Sequence, residues 1–290
     1  MPKPAAGLSI RRKYAIIEAM RFSKTISHEK QKQLFEKLAQ NQTLGHAYAF
    51  VGPEHVGKTT FALELAIELG ADQIFDIVFY DKEEGITISE AREVQGRLSL
   101  TPVGKIKVAI LTHAERMSME AANSLLKTLE EPVDKSLLIL TTANFHGLLP
   151  TITSRLQRVN FGLAQEQETR QAVGEFELDK KILSQILALA SGKIGLAKKM
   201  AADPESLNFC SEAQRIYAVL LDGNIQDRLK VASTLFTREV EDVKRILQFA
   251  MDCWIQDPKQ GSLGRKLLAA YKDLQYNLNM RLILDNLFLI

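Results

Sequence analysis

KVAILTHAERMSMEAANSLLKTLEE, residues 107–131, opens with a short apolar run, Val108 to Leu111, that reads as a fully buried parallel strand. In a nucleotidase built on a phosphate-binding loop, such a strand ends in Asp-Glu or Asp-Asp, to hold a water on magnesium and to activate another. Here those two positions are Thr112 and His113. The following segment reads as an ordinary helix, with Ser118 as N-cap and Ala121, Leu125, Leu126 and Leu129 recurring at helical spacing. The frame of a nucleotide-hydrolysing site is present and its acid is missing.

Upstream, Ala47 to Val51 reads as a strand feeding into GPEHVGKTT, and Gly52 to Thr59 satisfies GxxxxGK[ST] at every required position. Glycines such as Gly52 and Gly57 let backbone N–H groups turn inward around phosphate. The Lys58 ammonium meets the outer phosphates, and the Thr59 hydroxyl completes a magnesium shell. A helix from Thr60 to Leu69 points its positive N-terminus at the same anion. Further strands are predicted at Ile74–Tyr80, Leu137–Thr141 and Gln157–Phe161, and helices from Ser27 (as cap) to Gln40 and from Ser89 to Leu98. This alternation predicts a parallel sheet, five-stranded, with helices on both faces. Asp81, at the end of an apolar run, is a rival metal acid or else a strand-end carboxylate in solvent.

Composition bounds the rest. A chain of 290 residues has room for two or three domains, and 46% hydrophobic with 25% charged residues is ordinary for a globular protein. A net charge of +2 neither demands nor excludes nucleic acid. Cys210 and Cys253 lie in unrelated segments with no CxxC spacing, which predicts reduced thiols and no zinc. No apolar run approaches the ~20 residues of a membrane span, and no secretory signal is evident, so a cytoplasmic protein is expected. Residues 1–24, with the basic triplet Arg11-Arg12-Lys13 and a helical-looking Tyr14–Met20, read as an extension, and Met20 is an alternative start. After Phe161 the pattern is wholly helical. Residues 163–203 form a small unit and 204–290 a set of four or five amphipathic helices, with Gly261–Gly264 as a turn. Leu267, Tyr271, Leu274, Leu278 and Leu282 make a continuous stripe. The apolar end, Leu282 to Ile290, is either buried in its own bundle or a subunit interface.

SLLKTLEEP (Ser124–Pro132) and ILTTANFHGLLPTITSR (Ile139–Arg155), with the phosphate-loop spacing, TISEAREVQGRLSLTP and the terminal NLNMRLILDNLFLI, resemble the AAA+ subunits of bacterial clamp loaders of the DNA polymerase III holoenzyme. The resemblance runs over residues 25–290. It implies an AAA+ P-loop domain (25–162), a small helical lid (163–203) and an all-α collar (204–290) that assembles a hetero-pentamer. It also implies motor and delta-type subunits, a sliding clamp and primer-template DNA as partners. By the same resemblance, Thr141 or Thr142 is sensor 1, Thr112 and His113 are a degenerate Walker B, and Gly52, Gly57, Lys58, Thr59 and Thr60 bind nucleotide. Arg155, in Ser154-Arg155 with Leu156 for the usual cysteine, is an arginine finger reaching a neighbour's ATP; the alternative is a structural arginine. Gly195 stands at the sensor 2 arginine, and the family's zinc module is missing. The P-loop therefore has room for ATP or ADP as a structural ligand, with magnesium weak or absent and without hydrolysis. The alternatives are an active ATPase like the motor subunits or an unrelated P-loop enzyme, and a nucleotide-free scaffold whose phosphate loop is a relic. His113 cannot replace a hard oxygen ligand. Lys105, Lys107 and Arg97 are basic residues that sequence cannot tell from solvated charges.

Overall fold

The apolar runs become a parallel sheet in a computed structural model that describes residues 22–256, 258, 261–276 and 278–289. Strands β1 (Ala47–Val51), β2 (Ile77–Tyr80), β3 (Lys107–Leu111), β4 (Ser136–Thr142) and β5 (Gln157–Asn160) pair in the order β2-β3-β4-β1-β5. The middle strand is β4, so β3 is interior but one place from the edge. Side chains alternate across each strand. In the three interior strands β1, β3 and β4 both sets are buried, while the edge strands β2 and β5 expose one set. Ala49, Val51, Ala109, Leu111 and Leu140 face α3 (Ile88–Leu98), α4 (Met119–Glu130) and α5 (Pro150–Thr153). Tyr48, Phe50, Val108, Ile110 and Ile139 face α1 (Glu29–Gln40) and α2 (Lys58–Glu68). On that second face Phe35, Phe50, Phe61 and Phe161 interlock, and Phe22 stacks on Phe61 at 4.8 Å. Each such ring contributes about 1.5–3 kcal/mol by leaving water.

The register brings Val51 beside Thr142 and Leu111 beside Leu140, so the C-terminal ends of β1, β3 and β4 stand close together. The loops leaving those ends converge on one edge of the sheet, where open α/β sheets bind ligands.

Several local expectations shift. The second strand starts at Ile77 because the Asp72 carboxylate accepts N–H bonds from Ile74 and Phe75, winding residues 72–75 into a turn with Ile74 76% exposed. Ser27 is buried and does not cap α1. Its cap position is His28, left-handed at φ 70°, whose ring is engaged elsewhere in the fold. Ser118 does cap α4, accepting from Ala121 N–H. Lys107 is no solvated cation: it is buried against Asp76 at 2.9 Å. Residues 1–21, with the basic triplet, Tyr14–Met20 and the alternative start, lie outside the described residues.

Described residues up to Glu175 and Ala190–Ala197 form one compact unit; Phe176–Leu189 and Lys198 onward form another. The stretch after β5 carries α6 (Glu166–Ala172), α7 (Lys180–Ala190) and α8 (Ile194–Ala202). In the second unit, α9 (Pro204–Asp222) is capped by Asp203 and followed by α10 (Ile225–Leu235), α11 (Val240–Gln256), α12 (Gly261–Gln275) and α13 (Met280–Leu289). Gly261–Gly264 is the first turn of α12 and not a connection. A Cβ on Gly264 would stand 2.5 Å from the Trp254 ring, so this glycine serves close helix packing. The predicted stripe is broken between α12 and α13, with Asn279 accepting from the Arg281 N–H. Leu278 and Leu282 are exposed, while Leu284, Leu287 and Phe288 fill the helical core. Among the described residues, no helix is long and apolar enough to cross a membrane.

Candidate nucleotide site

The loop from Gly52 to Gly57 leaves β1 at the converging edge. Gly52 N–H donates to Thr142 O, and a Cβ at Gly52 would lie 2.1 Å from Phe161 O, so only glycine fits between β4 and the chain after β5. Gly57 sits at φ 104°, the left-handed conformation that starts α2 and that glycine adopts without strain. Lys58 is 8% exposed. Its Nζ donates to the carbonyls of Gly52 and Pro53 at 2.7 Å each. Burial pulls its pKa down to about 8, against the opposing pull of Glu54 and Glu115, while Lys193 adds to the lowering. Thr59 is half-buried and Thr60 exposed on the first turn of α2.

At the end of β3, Thr112 is buried, and its hydroxyl donates to Asp81 Oδ1 at 2.7 Å. Asp81 itself is exposed beyond β2. His113 adopts φ 48°, with Nδ1 4.0 Å from Glu54 Oε1, and Arg116 reaches the same oxygen at 3.6 Å. The two strand-end positions thus face Asp81 and a carboxylate of the phosphate loop. Among the described residues, no three potential metal-ligating side chains cluster. Thr141 and Thr142 end β4, both buried. The Thr142 hydroxyl accepts from Asn144 N–H at 3.0 Å.

Gly195 lies against the phosphate loop through its backbone, its N–H donating to His55 O at 2.7 Å. A Cβ there would already stand 3.0 Å from that oxygen. Arg155 is exposed on the turn between α5 and β5. Its guanidinium bonds to Thr151 O, Ser154 Oγ and, at 2.7 Å, Glu130 Oε1. Glu130 belongs to the same LLKTLEEP segment that the resemblance rests on. Leu156, in the cysteine position, is 9% exposed and belongs to the sheet core.

Three residues that sequence reasoning passed over belong to this edge. His28 Nε2–H donates to Val56 O at 2.8 Å, and burial lowers its pKa, joining the start of α1 to the phosphate loop. Lys193, two positions before Gly195, is 5% exposed and adds positive field at Lys58. Glu115, on the 3₁₀ turn Ala114–Arg116, adds negative field there. Only Glu115 carried a usable signal: it is the first carboxylate after a strand whose end has none.

Residues 27–165 match the family described as DNA polymerase III, delta subunit. The chain is 24% identical to the DNA polymerase III subunit tau of Bacillus subtilis over 268 residues, 81% of this chain and 46% of that protein. It is 28% identical to the delta-prime subunit of B. subtilis over 65% of this chain and 63% of that one. With the delta-prime subunit of Pseudomonas aeruginosa it shares 32% identity over 43% of this chain and 45% of that one. The chain thus spans roughly half to under two thirds of these relatives. Among solved structures, a DNA polymerase III gamma-subunit-related protein from Thermotoga maritima superposes with a TM-score of 0.53 at 21% identity. That match covers 88% of this chain and 97% of that one, and shows a shared fold. With an AAA+ sheet, a phosphate loop after its first strand and a helical C-terminal part, the chain is similar to the clamp-loader subunits of DNA polymerase III.

Proposed function

We propose that the chain is a delta-prime-like, non-motor clamp-loader subunit that binds nucleotide without hydrolysing it and presents Arg155 to a neighbouring subunit's ATP. In this reading residues 163–203 act as the lid and 204–290 as the collar of a hetero-pentamer with motor and delta-type subunits. That assembly would open a sliding clamp and place it on primed DNA in the cytoplasm. DNA would be held through its backbone, independently of sequence. One observation carries the reading. The two strand-end acids and the sensor 2 arginine are each replaced by a residue with another attachment: Thr112 on Asp81, His113 towards Glu54, Gly195 on His55. The phosphate loop itself is intact at Gly52, Gly57, Lys58 and Thr59. Arg155 is exposed with one exposed carboxylate partner, a pair that solvent weakens and a phosphoryl group can displace.

The test is reconstitution with cognate motor subunits, clamp and primed DNA, comparing the wild type with Arg155→Ala. The variant is expected to assemble while DNA-stimulated ATP turnover at the affected site falls on the order of 10³-fold. Unchanged stimulation makes Arg155 structural and leaves only a scaffold.

A second reading, an active motor subunit, is favoured by the length of the match to the tau subunit. It requires the purified chain alone to hydrolyse ATP and to lose that activity in Lys58→Ala. The non-motor reading requires no turnover above background.

A further inference from the structure

We propose that Glu115 supplies the carboxylate that the end of β3 lacks, making nucleotide binding at the phosphate loop depend on magnesium. The inference rests on the phosphate-loop reading above and specifies which residue serves its metal. Glu115 sits three positions beyond Thr112, on the turn that carries the chain from β3 towards α4. Its Oε1 accepts the Ala143 N–H at 3.3 Å, just past Thr141-Thr142, which draws the side chain to the ends of β3 and β4. Gly147 lets it settle there: a Cβ at Gly147 would stand 3.1 Å from Glu115 Cβ. Its other oxygen, Oε2, is buried and accepts no hydrogen bond from the described residues.

A buried carboxylate oxygen without a donor is rare and costly, and a hard cation or a water held on one satisfies it. Lys58 is near enough to feel this charge, yet its donors go to the Gly52 and Pro53 carbonyls. The other acids at this edge are engaged, Asp81 by the Thr112 hydroxyl and Glu54 by Arg116 and His113. Magnesium keeps several waters and takes one or two carboxylates plus the phosphates of its nucleotide. Glu115 with the Thr59 hydroxyl meets that need without a cluster of protein ligands. Glutamate is one methylene longer than aspartate, which compensates for a start beyond the strand end. The water-activating position is still His113, so the assignment adds metal binding and no hydrolysis.

The proposal fixes the sign of two effects. Without metal, a half-buried carboxylate near Lys58 repels the phosphates that the lysine holds. With metal, the same carboxylate attracts the complex. Calorimetric titration of ADP and ATP into the purified chain, with magnesium or with chelator, should show wild-type Kd tightening about tenfold or more with the metal. Glu115→Gln should abolish that increment and bind metal-free nucleotide more tightly than the wild type. Glu115→Asp keeps the charge but withdraws the oxygen. It should shrink the increment and leave the metal-free Kd unchanged, which keeps the test decisive if the glutamine variant does not fold. A wild-type Kd indifferent to magnesium, or a full increment retained in both variants, overturns the proposal. Nucleotide binding absent from the wild type, or unaltered in Lys58→Ala, overturns the phosphate-loop reading and this proposal with it.

Discussion

Asp76 is fully buried at the end of the sheet opposite the phosphate loop and accepts from four donors. Oδ1 takes the Val103 N–H and Lys107 Nζ at 2.9 Å each. Oδ2 takes Gly104 N–H at 2.6 Å and Asp72 N–H at 3.1 Å. One side chain therefore ties the turn before β2 to the loop before β3. Asp76→Ala would strand three backbone donors and an ammonium that retains only Phe75 O. Breaking a buried ion pair from one side costs about 3–5 kcal/mol, and each stranded donor about 1–3 kcal/mol where water cannot reach it. Both loops border solvent, with Val103 and Ile74 exposed, so water will relieve part of this. The expected net loss is about 4 kcal/mol, a large share of the 5–15 kcal/mol by which a domain is stable.

Urea unfolding followed by circular dichroism, with amide exchange across β2 and β3 to localise the loss, measures it. Asp76→Ala/Lys107→Met should be less destabilised than Asp76→Ala alone, because it removes the uncompensated charge. The pH dependence has a definite sign. Burial alone would raise the Asp76 pKa, but Gly104, Lys107, Val103 and Asp72 outweigh it and hold the carboxyl well below the usual carboxylate range. Its contribution is therefore complete above the unfolded value near 4 and is lost as pH falls below that, while Asp76→Asn should flatten this acid limb. A loss under about 1 kcal/mol for Asp76→Ala, or a double variant as unstable as the sum of the singles, would refute the reasoning.

Lys58, with a pKa near 8 in the fold and 10.5 as the ordinary value, binds fewer protons folded than unfolded between those limits. The stability of the sheet unit should therefore rise from pH 8 to 10.5, while nucleotide affinity falls over the same range by up to about tenfold per unit; Lys58→Met should remove both slopes in thermal melts and titrations. Glu130→Gln releases the Arg155 guanidinium from an exposed pair worth under about 1 kcal/mol, so Tm should hardly move. DNA-stimulated ATP turnover in the reconstituted complex should change, and unchanged turnover would count against a trans role for Arg155.

The strands were legible because five residues such as Ala47–Val51 are apolar throughout, which only a strand covered on both faces tolerates. The phosphate loop was legible because its glycines, lysine and threonine answer a local demand at set spacing. What misled was tertiary. Ser27 is a good cap by composition, but His28 is drawn to Val56 and Phe161, and the helix starts from it. Gly261 and Gly264 look like turn residues until Trp254 is seen against the second of them. Lys107 looks like any surface lysine until Asp76, 31 positions earlier, closes on it. Glu115, Lys193 and His28 meet only because separate loops converge on one sheet edge, and no spacing in the sequence encodes that.

The glycines of the phosphate loop are weak witnesses to a ligand, since Gly52 is required by Phe161 O and Gly57 by its φ of 104° whatever is bound. Lys58 and Glu115 are better ones. A buried ammonium resting on two carbonyls and a buried carboxylate oxygen with no donor each cost stability, and the two form no ion pair with each other among the described residues. Pure packing would be served better by a methionine at 58 and a glutamine or leucine at 115. A ligand that carries anionic phosphates for the lysine and a cation for the glutamate satisfies both groups at once, and phosphate or metal alone satisfies only one. Under the Glu115 proposal, that asymmetry lets a site without a strand-end acid select a magnesium nucleotide over its free anion, the preference that the titrations of wild type and Glu115→Gln measure. It also separates a phosphate loop in use from one retained only for its turn.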